Sequence, residues 1–372
     1  MSIAKSLLTY FIIIMLSTLF LWCADKLHIN EKGDIINLQR IKSLPYLFLM
    51  CLSFAFPFFI SAYRINVGTD YMSYVLMAKN PIGYIGIPVF FKNILIFLSK
   101  FGLTASGFFI LSSFFILFTY FIAIVLLSQV PHLSLFMFFI MEDFFVSMNM
   151  VRQFIAMGVL LIAYLLYSKH HFYIGITFNI ISFLIHPSII IFDIFLVILF
   201  IFRKFNFTRI NTILLVLFSP FILLAIPLFK LILRYTIFGK FLDNSYSLFH
   251  YRWTFLMILS YSVSLILIII FANYARVQVN QAAKSYILAN LCVILLLISS
   301  YFISGNAYRV IYLITPIMII YYPKTLTTIE NKALRLIVNV CIICCFIAAT
   351  TIMITHNNND VIPYFNQFIT NI

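Results

Sequence analysis

The feature that most constrains this chain is a succession of about twelve apolar runs, most of them close to the roughly 20 residues that a helix needs to span a bilayer. Hydrophobic residues make up 64% of the sequence and charged residues only 9%, against about 25% charged residues in soluble domains. This composition excludes a soluble enzyme, a nucleic-acid-binding domain and a disordered chain. The sequence therefore predicts an all-α, polytopic integral membrane protein, with residues 1–372 forming a single membrane domain.

The apolar runs are joined mostly by short connections, so an active site has to lie on loops or between helices. The predicted spans are 7–23, 44–62, 105–128, 133–147, 150–167, 172–186, 188–202, 211–233, 253–272, 286–303, 309–323 and 336–355. The apolar segment 84–102 carries Lys92 at its centre, which favours an interfacial or re-entrant helix over a span.

The charged residues are biased towards cations, with 24 Lys and Arg against 10 Asp and Glu. About half of the cations fall on one alternating set of loops, which the positive-inside rule makes cytoplasmic. The long loops 63–104 and 234–252 and the polar tail 356–372 then face outward. The other cations fall on or near the outer face: Lys5, Arg64, Lys79, Lys92, Lys100, Arg152, Lys230, Arg234, Lys240, Arg252 and Arg309. Such an excess indicates an anionic partner there, with lipid headgroups as the competing explanation.

A dense polar cluster follows the second predicted span. Gly68 allows a tight turn with positive φ, and Thr69 or Asp70 is suited to cap a helix that begins at Tyr71. The N-terminus of that helix would present backbone amides to an anion, and Arg64 would add a bidentate fork for phosphate. The competing interpretation is a capped loop whose arginine extends to the lipid headgroups.

A second cluster, from Asn149 to Gln153, enters the fifth predicted span. Arg152 and Gln153 lie inside an otherwise apolar run, and an arginine at that depth requires a partner. The nearest acids in the sequence are Glu142 and Asp143, so a structural ion pair between helices is the alternative to a ligand site.

Two further clusters are shorter. His186 and Pro187 form a tight predicted outer turn, and histidine is the side chain that exchanges protons near neutral pH, although a lone histidine at a helix end is also a common structural residue. Arg309 follows Gly305 at the predicted outer mouth of a helix. Arg252, in the second long loop, is a weaker candidate.

Each cluster alone is a weak indication of a functional site, but all of them lie on the same predicted face of the membrane. Arginine, histidine and aspartate side chains converge on one predicted membrane face, as a site for a lipid-linked phosphate or diphosphate would require. The sequence contains no Gly-rich nucleotide loop and no metal-binding motif, so we expect neither a cofactor nor a metal.

These clusters resemble a known pattern. The chain is similar to the EpsG family of membrane polysaccharide polymerases, which are related in role to the Wzy O-antigen and capsule polymerases. The matching residues are Arg64-Ile65-Asn66-Val67-Gly68-Thr69-Asp70-Tyr71 with Tyr74, then Asn149 with Arg152-Gln153 and Ala156, then His186 with Ser188, and then Arg309 with Tyr312. Pro187 stands where the family pattern often has a small polar or basic residue.

The resemblance implies a GT-C-like helical fold in the bacterial cytoplasmic membrane. It also implies a substrate of undecaprenyl-diphosphate-linked oligosaccharide repeat units, polymerised on the outer leaflet in O-antigen, capsule or exopolysaccharide synthesis. The growing chain would be transferred from its lipid diphosphate to the non-reducing end of a new unit. Membrane lipids, a chain-length regulator and a flippase are the partners expected with this role, and nucleic acid is not.

The resemblance also implies roles for individual residues. Arginines would bind the diphosphate and stabilise the leaving charge, and His186 or Asp70 would deprotonate the acceptor hydroxyl. The expected catalytic residues are His186, Asp70, Arg152 and Arg309. The expected substrate-binding residues are Arg64, Gly68, Thr69, Tyr74, Asn149, Gln153, Tyr312 and Arg252.

Three alternatives use related chemistry. An O-antigen ligase would share the cationic outer face but usually carries a larger outer loop than 234–252. A flippase or exporter of lipid-linked sugars would place its cations around a cavity at midplane depth. A membrane O-acyltransferase would need a polar site facing the cytoplasm, where the sequence has no comparable cluster.

Overall fold

The computed structural model describes residues 2–27, 43–206, 208–218, 249–303, 305–356 and 360–365, with the backbone alone at 218, 249–253, 301–303 and 305–307. Most of these residues are helical, and no strand occurs among them. The α-helices are α1 (Ile3–Lys26), α2 (Leu44–Ala62), α3 (Tyr71–Lys79), α4 (Val89–Ser99), α5 (Ala105–Leu127), α6 (Pro131–Ile140), α7 (Asp143–Ser147), α8 (Val151–Ser168), α9 (Phe172–Ile185), α10 (Ile190–Lys204), α11 (Arg209–Phe218), α12 (Phe249–Phe271), α13 (Tyr274–Val279), α14 (Gln281–Ile303), α15 (Thr315–Leu326) and α16 (Lys332–Thr355). Two 3₁₀-helices cover Pro187–Ile189 and Gly305–Leu313.

Within the described part of the chain, 7 helices are long and apolar enough to cross a membrane: α1, α2, α5, α8, α12, α14 and α16. This finding agrees with an all-α, polytopic membrane protein. It does not reproduce the predicted count of about twelve spans, and the GT-C-like fold stays a prediction.

Two of the predicted spans are not continuous α-helices, so these predictions are wrong. The run 133–147 is broken at Glu142, whose φ of 70° places it in the left-handed region, where an α-helix cannot continue. The result is a ten-residue α6 and a five-residue α7. The run 309–323 begins in the 3₁₀-helix Gly305–Leu313 and becomes α-helical only at Thr315. Of the predicted span 211–233, the structure describes only the part up to 218.

Several apolar helices are short. Pro187 follows directly after the end of α9, as the sequence predicts. The 14 residues of α9 rise about 21 Å, less than the roughly 30 Å of a bilayer core. The 11-residue α4 is shorter still, as expected for an interfacial helix, and the Lys92 ammonium donates to the Ile82 carbonyl over 2.6 Å.

The chain divides into two compact units, one formed by Met1–Ile190 with Ile354–Ile372 and the other by Ile191–Met353. In the first unit, α1 and α2 are joined by reciprocal bonds in which the Ser17 hydroxyl donates to the Ser53 carbonyl and the Ser53 hydroxyl to the Ser17 carbonyl, over 2.6 and 2.7 Å. Small hydroxyl residues let spanning helices approach closely, which explains their position in these apolar segments.

In the second unit, cations of the predicted cytoplasmic loops bind the carbonyl groups at helix ends. The Arg209 guanidinium donates to the Ile270 carbonyl at the end of α12 over 3.0 Å. The Lys284 ammonium donates to the Phe205 carbonyl, just beyond α10, over 2.7 Å. Terminal carbonyls have no partner within their own helix and carry partial negative charge. These cations therefore stabilise helix ends in addition to any effect on orientation.

The segment 360–365 differs from its prediction. The sequence predicts a polar tail over 356–372, with residues 357–360 solvated and poorly ordered. Residues 357–359 and 366–372 lie outside the described part, whereas Val361 is 0% and Tyr364 1% exposed. Asp360 is exposed, as predicted, but the prediction of a polar tail is wrong for 361–365, where Val361, Ile362 and Tyr364 are buried in the first unit.

Candidate functional site

The Arg64 side chain is buried in the first unit, where it is 1% exposed. Its Nη1 donates to the Ser61 carbonyl and, over 3.3 Å, to the Ser113 hydroxyl. Its Nη2 donates to the Met148 carbonyl over 3.2 Å. Protein oxygens thus already accept from both terminal nitrogens, so Arg64 joins the neighbouring chain segments, and its assignment to substrate contact stays a prediction.

Aromatic rings at the start of α5 complete the surroundings of this arginine. The Arg64 guanidinium carbon lies 4.6 Å from the centre of the Phe109 ring, and the Tyr71 ring stacks on Phe109 at 4.6 Å. Tyr74 stacks on Phe108 at 5.7 Å. Burial lowers the pKa of Arg64 to about 10, which still leaves the guanidinium charged at neutral pH.

The loop between α2 and α3 makes the tight turn that the sequence predicts at Gly68, whose φ is 106°. A methyl group on Gly68 would lie 2.6 Å from Oδ1 of Asn149 and 3.1 Å from the Met148 carbonyl oxygen. Glycine is thus required both for the turn and for the close approach of residues 148–149. Helix α3 begins at Tyr71 as predicted, with Asp70 at its N-cap, although the Asp70 side chain makes no capping hydrogen bond.

Three of the predicted site residues lie at the start of α8, with Asn149 just before the helix and Arg152 and Gln153 in its first turn. Asn149 and Gln153 are buried, whereas Arg152 is half-buried. The Tyr74 hydroxyl accepts from the Arg152 backbone amide over 3.3 Å, so α3 contacts the N-terminus of α8. Within the part of the chain that the structure describes, the Arg152 guanidinium makes no ion pair and no hydrogen bond.

The two acids closest in sequence therefore do not neutralise Arg152. Glu142 and Asp143 are both 0% exposed. The described ion pairs involve His132 with Asp25 and Arg276 with Glu330, and neither includes Arg152. The structural ion pair that the sequence allows as an alternative is absent from the described residues.

His186 caps the end of α9, and its amide donates to the Ser182 carbonyl over 3.0 Å. Ser182 in turn donates through its hydroxyl to the Ala156 carbonyl of α8 over 2.6 Å. Helices α8 and α9 form a hairpin, so they run in opposite directions. Arg152 precedes Ala156 by as many residues as His186 follows Ser182. His186 therefore lies level with Arg152, about 6 Å along both helices from the contact between Ser182 and Ala156.

The imidazole of His186 has a close neighbour in the following 3₁₀ turn. Its Nδ1 lies 2.6 Å from the Ser188 hydroxyl oxygen. The first unit thus brings together the loop 64–70, Tyr74 and the start of α8, with His186 level with Arg152.

The remaining predicted residues belong to the second unit. Arg309 and Tyr312 lie in the 3₁₀-helix Gly305–Leu313, where Arg309 is half-buried and Tyr312 is buried. Residues three apart are eclipsed in a 3₁₀-helix, so these two side chains leave the backbone along one line. The side chain of Arg252 lies outside the described residues, although its backbone belongs to α12.

The model of the EpsG family matches residues 47–366. That range covers most of the chain and all four motif clusters. The chain belongs to the EpsG family. EpsG is a Wzy-like polysaccharide polymerase family, so family membership assigns this protein a membrane polysaccharide polymerase role. No curated protein and no solved structure matches the chain.

The EpsG match also extends over residues outside the four motif clusters. Its range ends directly after the buried segment 360–365 and includes Ser113 and Phe109, the partners of Arg64. The sequence signal for the segment is its apolar residues Val361, Ile362, Tyr364 and Phe365, which follow the polar run 356–360. Among the described residues, no group of three or more His, Cys, Asp or Glu side chains could hold a metal ion.

Proposed function

We propose that this protein polymerises oligosaccharide repeat units linked to undecaprenyl diphosphate, on the outer leaflet of the bacterial cytoplasmic membrane. Membership of the EpsG family supports a polysaccharide polymerase. The observation that carries the proposal is the Arg152 guanidinium, which is half-buried at the start of a spanning helix and makes no hydrogen bond or ion pair within the described part of the chain.

An arginine in this position requires an anion. A cation at membrane depth is costly unless it is paired, and the N-terminus of a helix also favours negative charge. Arg152 lies on the second residue of α8, so the side chain and the helix end act on the same ligand. A diphosphate is the anion that fits a planar guanidinium with bidentate geometry.

The proposed reaction breaks the bond between the anomeric carbon of the growing chain and its diphosphate oxygen. A hydroxyl oxygen at the non-reducing end of a new unit forms the new glycosidic bond, and its proton passes to His186 or Asp70. The lipid diphosphate leaves with the electron pair, and Arg152 stabilises the developing charge.

The arrangement around His186 supports its place as the base. If the Nδ1–H donates to the Ser188 hydroxyl, which lies 2.6 Å away, then Nε2 carries the lone pair that accepts a proton. Tyr74 orients the start of α8 through the Arg152 amide. Gln153 is assigned to sugar or side-chain orientation, and Thr69, which is exposed, to substrate contact.

The test is the surface polysaccharide of a strain that lacks the gene and carries Arg152→Ala. We expect loss of the polymer ladder on a gel, with a single capped repeat unit retained and the variant present in the membrane at the wild-type level. Lys79→Ala, which removes an exposed cation from the same predicted face, is the matched control and should give a full ladder.

Two results would overturn the proposal. A full ladder with Arg152→Ala would remove this arginine from the reaction. Loss of even the single capped unit in the deletion strain would indicate a flippase or a ligase. A flippase delivers the unit before polymerisation and a ligase attaches it afterwards, so the capped unit requires both.

A further inference from the structure

The segment Asp360–Phe365 is bonded directly to the loop that carries the first motif. The Gly68 amide donates to the Asp360 carbonyl over 2.8 Å, and the Ile65 amide donates to the Phe365 carbonyl over 3.0 Å. These two bonds bracket Val67, which is 0% exposed. The loop therefore obtains two of its backbone partners from a part of the chain almost 300 positions away.

The segment is itself held by the first two helices. The Tyr364 hydroxyl donates to the Ile60 carbonyl in the last turn of α2 over 3.0 Å, and the Tyr364 amide donates to the Ser6 hydroxyl of α1 over 3.0 Å. The Tyr10 hydroxyl donates to the Val361 carbonyl over 2.6 Å, and its ring lies edge-on to Tyr364 at 5.6 Å. Both ends of the segment are thus fixed to helices of the first unit.

Gly68 consequently has contacts on two sides. Its amide is bonded to Asp360, while its Cα faces Asn149 and the Met148 carbonyl at the entrance to α8. Movement of the segment 360–365 would therefore change the position of the loop against residues 148–149. Those residues lead directly into the helix turn that carries Arg152.

We propose that Asp360–Phe365 is a positioning element for the polymerase reaction, with Tyr364 as its principal anchor. It fixes the loop 65–70 against the start of α8 and does not contact substrate. The effect on polymer rests on the proposed function, whereas the effect on the loop does not, and the two are measured separately.

The loop is tested by the reactivity of a thiol at a buried position. Val67→Cys is introduced after replacement of the six native cysteines, and the protein in detergent is labelled with a polyethylene-glycol maleimide. We expect slow labelling in this background and labelling at least tenfold faster when Tyr364→Ala is added. Ile85→Cys, at a position that is 92% exposed, should label quickly with or without Tyr364→Ala.

Tyr364→Phe distinguishes positioning from general folding. It removes the bond to the Ile60 carbonyl and retains the ring against Tyr10. We expect faster labelling of Val67→Cys and shorter or less abundant polymer, with an unchanged thermal midpoint and size-exclusion profile. This variant also keeps the test decisive if Tyr364→Ala does not accumulate.

A stop codon after Phe365 is the matched control, since it leaves the whole segment in place, and it should retain wild-type polymer. Unchanged labelling of Val67→Cys in both Tyr364 variants would overturn the proposal. Faster labelling with normal polymer would show that the segment holds the loop without serving the reaction, which also overturns it. Failure of the proposed function appears instead as a full ladder with Arg152→Ala.

Discussion

The Arg64 guanidinium carbon lies 4.6 Å from the centre of the Phe109 ring, on which Tyr71 also stacks. Two residues of the motif thus contact one aromatic ring of α5, and the same guanidinium donates to the Met148 carbonyl before α8. A buried arginine with these contacts joins three chain segments. The motif is therefore partly an element of architecture.

Replacement of Arg64 by lysine should destabilise the protein. Lysine retains the charge but cannot bond to Ser113 and Met148 at once, nor lie flat on Phe109. Each lost bond to a charged group is worth about 1.5–3 kcal/mol. We expect a lower thermal midpoint in detergent and little polymer, and a wild-type midpoint for Arg64→Lys would contradict the assigned role.

Gly68→Ala should be more harmful than Gly86→Ala. Both residues have positive φ, 106° and 90°, so both substitutions incur a backbone cost of about 1–3 kcal/mol. Only at Gly68 does the new methyl group approach other atoms, since nothing lies within 4 Å at Gly86. We compare the thermal midpoints and polymer ladders of the two variants. Gly86→Ala reports the backbone cost alone, whereas Gly68→Ala adds the steric clash. Equal effects would exclude a packing role for Gly68.

Ser188→Ala should reduce polymer without loss of folded protein. The hydroxyl lies 2.6 Å from Nδ1 of His186, and without it the imidazole ring is no longer held in one orientation. We expect a slower chain-extension rate with a smaller effect than His186→Gln, which should abolish polymer. A Ser188→Thr variant, which keeps a hydroxyl, should recover activity, and equal activity of the alanine and wild-type proteins would argue against this orientation.

Arg209→Lys separates helix capping from membrane orientation. The substitution retains the positive charge that orients the loop, but it loses the guanidinium that reaches both the Ile270 and Ala272 carbonyls. We expect unchanged topology in a reporter-fusion assay and a stability loss of about 1 kcal/mol. A wild-type stability of Arg209→Lys would show that its positive charge, rather than helix capping, is the main role of Arg209.

The sequence predicts helical class, the turn at Gly68, the start of α3 and the stop at Pro187, because each depends on local chemistry. It also groups two clusters that the structure brings into contact within the first unit, since Tyr74 contacts the Arg152 amide. These features require only periodicity, glycine or proline, and the ends of apolar runs.

What the sequence does not reveal depends on contacts between distant residues. The burial of Arg64 follows from α5 and the segment before α8, neither of which is adjacent to it in sequence. The break at Glu142 contradicts a run of apolar residues that hydropathy treats as one span. The segment 360–365 is too short to be recognised from hydropathy, yet three of its apolar residues are buried.

The hydrogen bond between Tyr10 and Val361 joins positions 351 residues apart. Chains emerge from the ribosome from the first residue onward, and early segments fold while later ones are still being made. The loop 65–70 therefore obtains its partners in 360–365 only after that segment has been synthesised. A chain that stops before this segment would be left with the loop unsecured.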